Sequence, residues 1–180
     1  MAKFSITTKT GDEGMTRLYS GEKVFKDSER PTVYGAIDEL EAILGVCRVL
    51  AQKPDTKEAL LYIQRQLFRI NGELATTAKK LDKVPRVDQA MLDEMDRRRD
   101  ALEETVELPN GFIVSGESLS SGFIDIAKTV ARRCERMIVT IHRDGVIDNA
   151  LILVWFNRLS DYLYLLGRHE GGEQILVKEE

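Results

Sequence analysis

The sequence predicts an all-α protein, a single domain built as an antiparallel bundle of five helices. Three observations predict it. Apolar residues recur at steps of three and four through five separate segments, the period of a helix with one buried face. Stretches rich in Pro, Gly, Asp and Ser separate them, as suits the tight connections of antiparallel neighbours. Recurring strand signals are missing from the pattern.

The chain opens on an arm, residues 1–31, that contains "TTKTGDEGMTRLYSG" from Thr7 to Gly21. After "KDSERP", which ends on the helix-starting Pro31, the first stripe runs Val33, Ile37, Leu40, Leu44, Cys47, Ala51. The second segment opens at "KPDTKEA" with Asp55 as its expected N-cap and continues through Leu60, Ile63, Leu67, Ile70, Leu74 and Ala78. Pro85 interrupts the pattern, and Asp88 then caps a weaker third helix carried by Leu92, Met95, Leu102 and Val106. Its centre, "DEMDRRRD", reads as a solvated face. The stretch "ELPNGFIVSGESLSSG" is a loop or short hairpin.

A fourth helix is expected from Phe123 to about Ile141, with Ala127, Val130, Cys134 and Met137 on its inner face. The run "ALILVWF" has the residues of a buried strand. However, Leu159, Tyr162, Leu163 and Leu166 continue it at helical spacing to Gly167, with Asp148 where a cap belongs, so it is the fifth helix. The bundle thus spans 32–170. Residues 171–180, ending in "QILVKEE", form a tail that either frays or packs.

Composition narrows the function. The chain has 180 residues, 43% of them hydrophobic, enough for one continuous core. Lys plus Arg number 26 against 30 Asp plus Glu, a net charge of −4 that offers no global field for nucleic acid. Its longest apolar run is far shorter than the roughly 20 residues that span a bilayer, and no secretory signal is visible. A cytoplasmic protein with no membrane partner is expected. Cys47 and Cys134 fall on apolar stripes as small hydrophobes, and two cysteines make neither a disulfide framework nor a zinc site. His142 and His169 read as solvated or helix-terminal residues.

Chemistry enters through the arm and two polar stripes. Gly11 and Gly14, with Thr8, Thr10, Thr16 and Lys9 around them, read either as an anion-binding nest or as a plain turn. The spacing matches neither G-x-x-x-x-G-K-[ST] nor G-x-G-x-x-G. On the fourth helix Asp125, Lys128, Arg132 and Glu135 line one side, either as a salt-bridged solvent face or as a site. On the first helix Asp38, Glu41 and Arg48 lie off the core face. "NRLSD" places Asn157, Arg158 and Asp161 inside a heavily apolar helix, where unpaired polar groups cost about 1–3 kcal/mol each. If the two stripes meet, Arg132, Arg133 and Arg136 are suited to phosphate oxygens. Together with Lys9 and Lys26 they make a triphosphate site.

Four blocks carry a resemblance: "TKTGDEGMTRLYSGEKVFKDS", "YGAIDELEAILG", "ARRCER" and "NRLSDYLY". In this order and register the chain resembles the PduO-type ATP:cob(I)alamin adenosyltransferases over nearly its whole length. The resemblance implies one cobalamin adenosyltransferase-like domain over 1–180, assembling as a homotrimer with ATP at each subunit boundary. It implies that Thr8, Lys9, Thr10, Gly11, Thr16, Arg17 and Lys26 of one subunit contact ATP. Arg132, Arg133, Glu135, Arg136 and Asn157 of the next would complete the site. Arg132, Lys26 and Asn157 are the catalytic candidates. The implied reaction is attack of Co(I) cobalamin on the 5′ carbon of ATP, with magnesium as cofactor and no metal-binding residue assigned. A flavin-type reductase and a cobalamin-dependent enzyme are the implied partners. On the corrinoid side the resemblance points to Asp38, Lys128 and Phe112, the last read either as a wall that excludes water or as a core residue.

Two positions depart from the family. In "IDIAK", Asp125 stands where the family has histidine and Lys128 where it has an arginine that pairs with the equivalent of Asp38. Lysine keeps the charge but loses the bidentate fork, and Asp125 is placed to pair with Lys128 one turn on. The alternative function is therefore an ATP-binding trimeric paralogue with an altered corrinoid site, acting as regulator or cofactor carrier without adenosyl transfer.

Overall fold

All six positions of the first apolar stripe, Val33, Ile37, Leu40, Leu44, Cys47 and Ala51, are buried. The computed structural model describes residue 7 and residues 9–177; Thr8, one of the expected ATP contacts, lies outside the described residues. Within them are five α-helices: α1 Glu29–Leu50, α2 Pro54–Leu74, α3 Gln89–Glu103, α4 Leu119–Arg143 and α5 Leu151–Glu170. A short 3-10 helix, Ala78–Lys83, follows α2, and the arm folds into a hairpin of β1 Met15–Arg17 and β2 Lys23–Phe25. The all-α bundle is as expected. Strands of three residues are too short to show an alternating pattern, which is why the hairpin escapes a sequence reading.

Helix ends show where local signals were overridden. Asp88 caps α3 as predicted, accepting from the Met91 amide at 2.9 Å. Asp55 does not cap α2: Lys53 is the N-cap and Pro54 occupies the first position. The amides of Gln52 and Lys53 instead donate, each at 2.9 Å, to the carboxylate of Glu170 on α5. Asp55 is left to pair with His169 at 3.0 Å, in the last turn of α5. Likewise Asp148 is not the cap of α5. It joins Arg86 at 2.6 Å, and Asn149 Oδ1 accepts from the Leu151 amide. Helix α4 starts four residues before Phe123 because Ser118 and Ser121 form a reciprocal capping box.

The core lies where α4 packs on α5 and on α1, with α2 closing over α1 and α3 over α5. Trp155 and Phe156 are fully buried and meet edge to face at 5.4 Å. Helix α5 runs past Gly167 to Glu170, and Gly167 is buried against Ile124 and Asp125 of α4. The "DEMDRRRD" face is solvated and laced by Arg97–Glu94, Arg98–Glu94 and Arg99–Asp96 pairs. No helix among the described residues is long and apolar enough to cross a membrane. Cys47 and Cys134 are buried and free, and burial pushes their thiols up to about 12 and about 11. They are inert at neutral pH.

Candidate functional site

The arm is a cationic cradle. Strands β1 and β2 pair antiparallel, Thr16 opposite Val24, and with residues 9–13 and Lys26 they line a cavity of about 780 Å³. Lys9, Arg17, Lys23 and Lys26 line it against only Asp12 and Glu13, with Thr10, Gly11 and Thr16 between them. Lys9 has φ 57° and Gly14 φ 78°, so the backbone takes the left-handed turn that nests require. Gly11 serves close packing: a Cβ there would fall 3.1 Å from Lys26 Nζ and 3.2 Å from the Met15 carbonyl. A local positive field thus exists in an acidic protein.

The second cluster lies between α4 and α5. Lys128, Arg132, Ser160, Asp161 and Tyr164 line a cavity of about 240 Å³. One turn along, Asn157 Nδ2 donates to Glu135 Oε1 at 3.3 Å while its Oδ1 accepts from Arg158 at 3.1 Å. The polar stripes of the two helices therefore meet, as the sequence led one to expect. Arg136 Nη1 bonds the Arg132 carbonyl at 3.1 Å, keeping its guanidinium on this side. Arg133 is different: it pairs with Glu39 on α1, away from the α4–α5 cleft.

The third group is apolar. Phe112 is 85% exposed, so the core reading of this residue fails. Its loop is joined by the described part of the tail, which packs through residues 175–177. Ile113 and Leu176 form an antiparallel bridge, and the Val177 amide donates to the Phe112 carbonyl at 2.8 Å. Phe112, Val114, Leu119, Ile175, Leu176 and Val177 together expose a hydrophobic patch of the kind that marks a binding surface.

Lys128 and Asp38 do not meet within the chain. Lys128 Nζ is 2.8 Å from Asp125 Oδ1, and Asp38 accepts from Asn71 Nδ2 at 2.8 Å. Partial burial holds the Asp38 carboxyl above its ordinary range. Asp125 also departs from the expected polar face: it is 5% exposed, because its other oxygen meets the buried Arg168 at 2.9 Å. Sequence reasoning missed Arg168, which falls at an apolar-looking position near a helix end.

The family model for cobalamin adenosyltransferase matches residues 6–170. This chain belongs to the cobalamin adenosyltransferase family. A cobalamin adenosyltransferase of Cupriavidus metallidurans is 36% identical over 180 residues, covering 97% of this chain and 95% of that protein. The corrinoid adenosyltransferase PduO of Citrobacter freundii is 35% identical over 173 residues, 92% of this chain. The chain spans about half the length of that PduO protein and of its Salmonella typhimurium counterpart. Among solved structures, a variant PduO-type ATP:corrinoid adenosyltransferase from Lactobacillus reuteri, complexed with cobalamin and ATP, superposes with a TM-score of 0.87. It is 27% identical and covers 97% of each chain. A second variant of that enzyme, complexed with ATP, gives a TM-score of 0.84 at the same identity, covering 96% of this chain and all of the other. The five-helix frame is thus the frame of the cobalamin adenosyltransferase family.

Proposed function

We propose that this protein transfers the 5′-deoxyadenosyl group of ATP to cob(I)alamin, releasing triphosphate. The observation that carries the reading is a pair of separate cationic hollows, on the arm and between α4 and α5, that share no lining residue. In a family of corrinoid adenosyltransferases, each supplies half of a polyanion site, and a neighbouring subunit brings the halves together. A homotrimer follows from this reading. Exposed apolar residues on three helices, Val46 and Val49, Phe68, and Ile126 and Val139, supply surface for such an assembly to bury.

In the reaction, the Co(I) electron pair attacks the 5′ carbon, a cobalt–carbon bond forms, and the carbon–oxygen bond breaks with its electrons leaving on triphosphate. Charge builds on the leaving group, so fixed cations lower the barrier. Lys26, Lys9 and Arg17 serve this from the arm, with Thr10, Gly11 and Thr16 shaping the cradle; Arg132 and Arg136 serve it from α4. Asn157, held by Glu135 and Arg158, orients the nucleotide. Arg133 acts through its pairing with Glu39 unless assembly releases it. No general base is required, since Co(I) is itself the nucleophile.

Phe112 with the tail forms the water-excluding wall on the corrinoid side. An external one-electron donor, a flavin-type reductase, supplies Co(I), and a cobalamin-dependent enzyme takes the product. Free thiols at Cys47 and Cys134 suit a cytoplasmic setting. Among the described residues no three acidic, histidine or cysteine side chains converge as a metal site. A magnesium ion bound with the nucleotide would supply further charge neutralisation.

The deciding assay supplies ATP, magnesium and chemically reduced cobalamin without oxygen, and follows the corrinoid spectrum and triphosphate release. Adenosylation with stoichiometric triphosphate is expected. Tight ATP binding without turnover would instead favour the regulator or carrier, a reading motivated by the capture of Lys128 by Asp125.

A further inference from the structure

Beneath the Phe112 loop lies a buried charge cluster that the transfer reaction does not use. Arg168, in the last turn of α5, has a side chain only 1% exposed. Its Nη1 lies 3.2 Å from Glu117 Oε1 and its Nη2 2.9 Å from Asp125 Oδ2. The Glu117 side chain is equally hidden, at 1%. Tyr164 covers the group, its ring centroid 5.2 Å from the guanidinium and 5.3 Å from Lys128 Nζ. Two cations and two carboxylates balance; Arg168, Glu117 and Asp125 are nearly closed to water, and Lys128, 21% exposed, faces the α4–α5 cavity. Glu117 meets Arg168 as an ion pair without a hydrogen bond, and Arg168 Nε is likewise unbonded, so among the described residues Arg168 is the one charge that compensates the buried carboxylate.

Its members come from three parts of the chain. Glu117 ends the Phe112 loop and immediately precedes Ser118, the N-cap of α4. Asp125 and Lys128 lie on α4, on the same helix as Arg132. Arg168 comes from α5, whose cap residue Gly171 is part of the fit: a Cβ there would fall 1.6 Å from Glu117 Oε2. A bare backbone at 171 is what lets the carboxylate reach the arginine. Beside it, Ser118 Oγ donates to the Glu170 carbonyl at 3.1 Å.

We propose that Arg168 is a positioning residue that clamps Glu117 to Asp125 and so sets the Phe112 loop at a fixed place relative to the cations of α4. The far side of the loop is held by the exposed tail, through the Val114–Ile175 and Val177–Phe112 backbone bonds. Without the clamp, the apolar wall moves independently of Lys128 and Arg132. Its consequence for catalysis rests on the adenosyltransferase reading; the clamp itself rests on geometry.

Gly171→Ala tests this while keeping every charge. The native φ of −70° suits alanine, but the new methyl displaces Glu117. Glu117→Gln is the near-isosteric companion that carries the test should the alanine variant fold poorly. Hydrogen exchange over residues 109–117 is expected to quicken about tenfold in both variants, while α1 and α4 keep their protection. With cob(II)alamin and a reductant the rate should fall about 10- to 100-fold, with preformed cob(I)alamin no more than about threefold and with KM for ATP unchanged. Arg168→Lys should recover part of the rate lost in Arg168→Met. Unaltered exchange in the loop of both variants, or equal loss in the two assays, overturns the clamp. If the unmodified protein does not alkylate preformed cob(I)alamin, the functional reading falls and the exchange data alone decide the clamp.

Discussion

Lys128 is bound to Asp125, Nζ to Oδ1 at 2.8 Å, one helical turn apart on α4. The pairing is the one expected of two opposite charges one turn apart on a helix. The second oxygen of Asp125 holds Arg168, so one buried carboxylate serves two cations. Removing it leaves both undercompensated in a region of low polarity. Asp125→Asn should destabilise the fold by about 3–5 kcal/mol, read from urea unfolding at matched protein concentration. An unchanged midpoint would show that the cations find other partners.

Acid should act through the same carboxylate. Burial alone would raise the Asp125 pKa, but the hydrogen bonds from Lys128 and Arg168 outweigh it and leave the value depressed. Glu170 is depressed likewise: burial raises it, and the amides of Gln52 and Lys53 lower it further. A depressed carboxylate contributes stability that is complete above its ordinary value, about 4, and is lost as pH falls through the folded value. Glu117, raised by burial, works in the opposite direction. Among the described carboxylates five are depressed, Glu22, Asp55, Glu94, Asp125 and Glu170, against three raised, Asp38, Glu41 and Glu117, so Tm should drop on acidification below about pH 4. Asp125→Asn should show a shallower drop, and parallel curves for the two proteins would refute this assignment.

Arg132 is exposed and lines the α4–α5 cleft beside Lys128. Its truncation removes a cation without opening the core. Arg132→Ala should lower kcat with preformed cob(I)alamin by about 100-fold or more, the usual cost of removing a fixed stabiliser of developing charge. Sedimentation should show an unchanged assembly. Full activity in the variant would remove Arg132 from the mechanism.

The bundle was legible because its stripes are regular: the positions read from Val33 to Ala51 are all buried, and so is the run Leu60 to Leu74. Ala78 broke the pattern since the chain had already left α2 for the 3-10 helix. Caps were legible only where the partner is local. Asp88 acts on its own helix, whereas the start of α2 is served by Glu170, 117 residues away in sequence from Lys53. The same limit applies at the site. Arg132 and Asn157 could be picked out as polar groups on apolar helices, but nothing local distinguishes Arg168 from an ordinary last-turn arginine. Asp125 looked solvated because its burial depends on that distant partner. The tail's pairing was illegible for want of length, its bridge from Leu176 to Ile113 being set by the loop it meets.

Gly11 offers the sharpest separation of geometry from charge in the arm. A methyl there would press on the end of Lys26, which can yield, and on the Met15 carbonyl 3.2 Å away, which is backbone of β1 and held by that strand's register with β2. The cradle must then open. Gly11→Ala should raise KM for ATP about tenfold while kcat at saturating ATP stays within about a factor of three, because every cation is still present. Lys26→Met should do the reverse, lowering kcat most. Steady-state kinetics on both variants check this, and an unchanged KM in Gly11→Ala would mean that the arm closes on its ligand by a different turn from the one Lys9 and Gly14 now form.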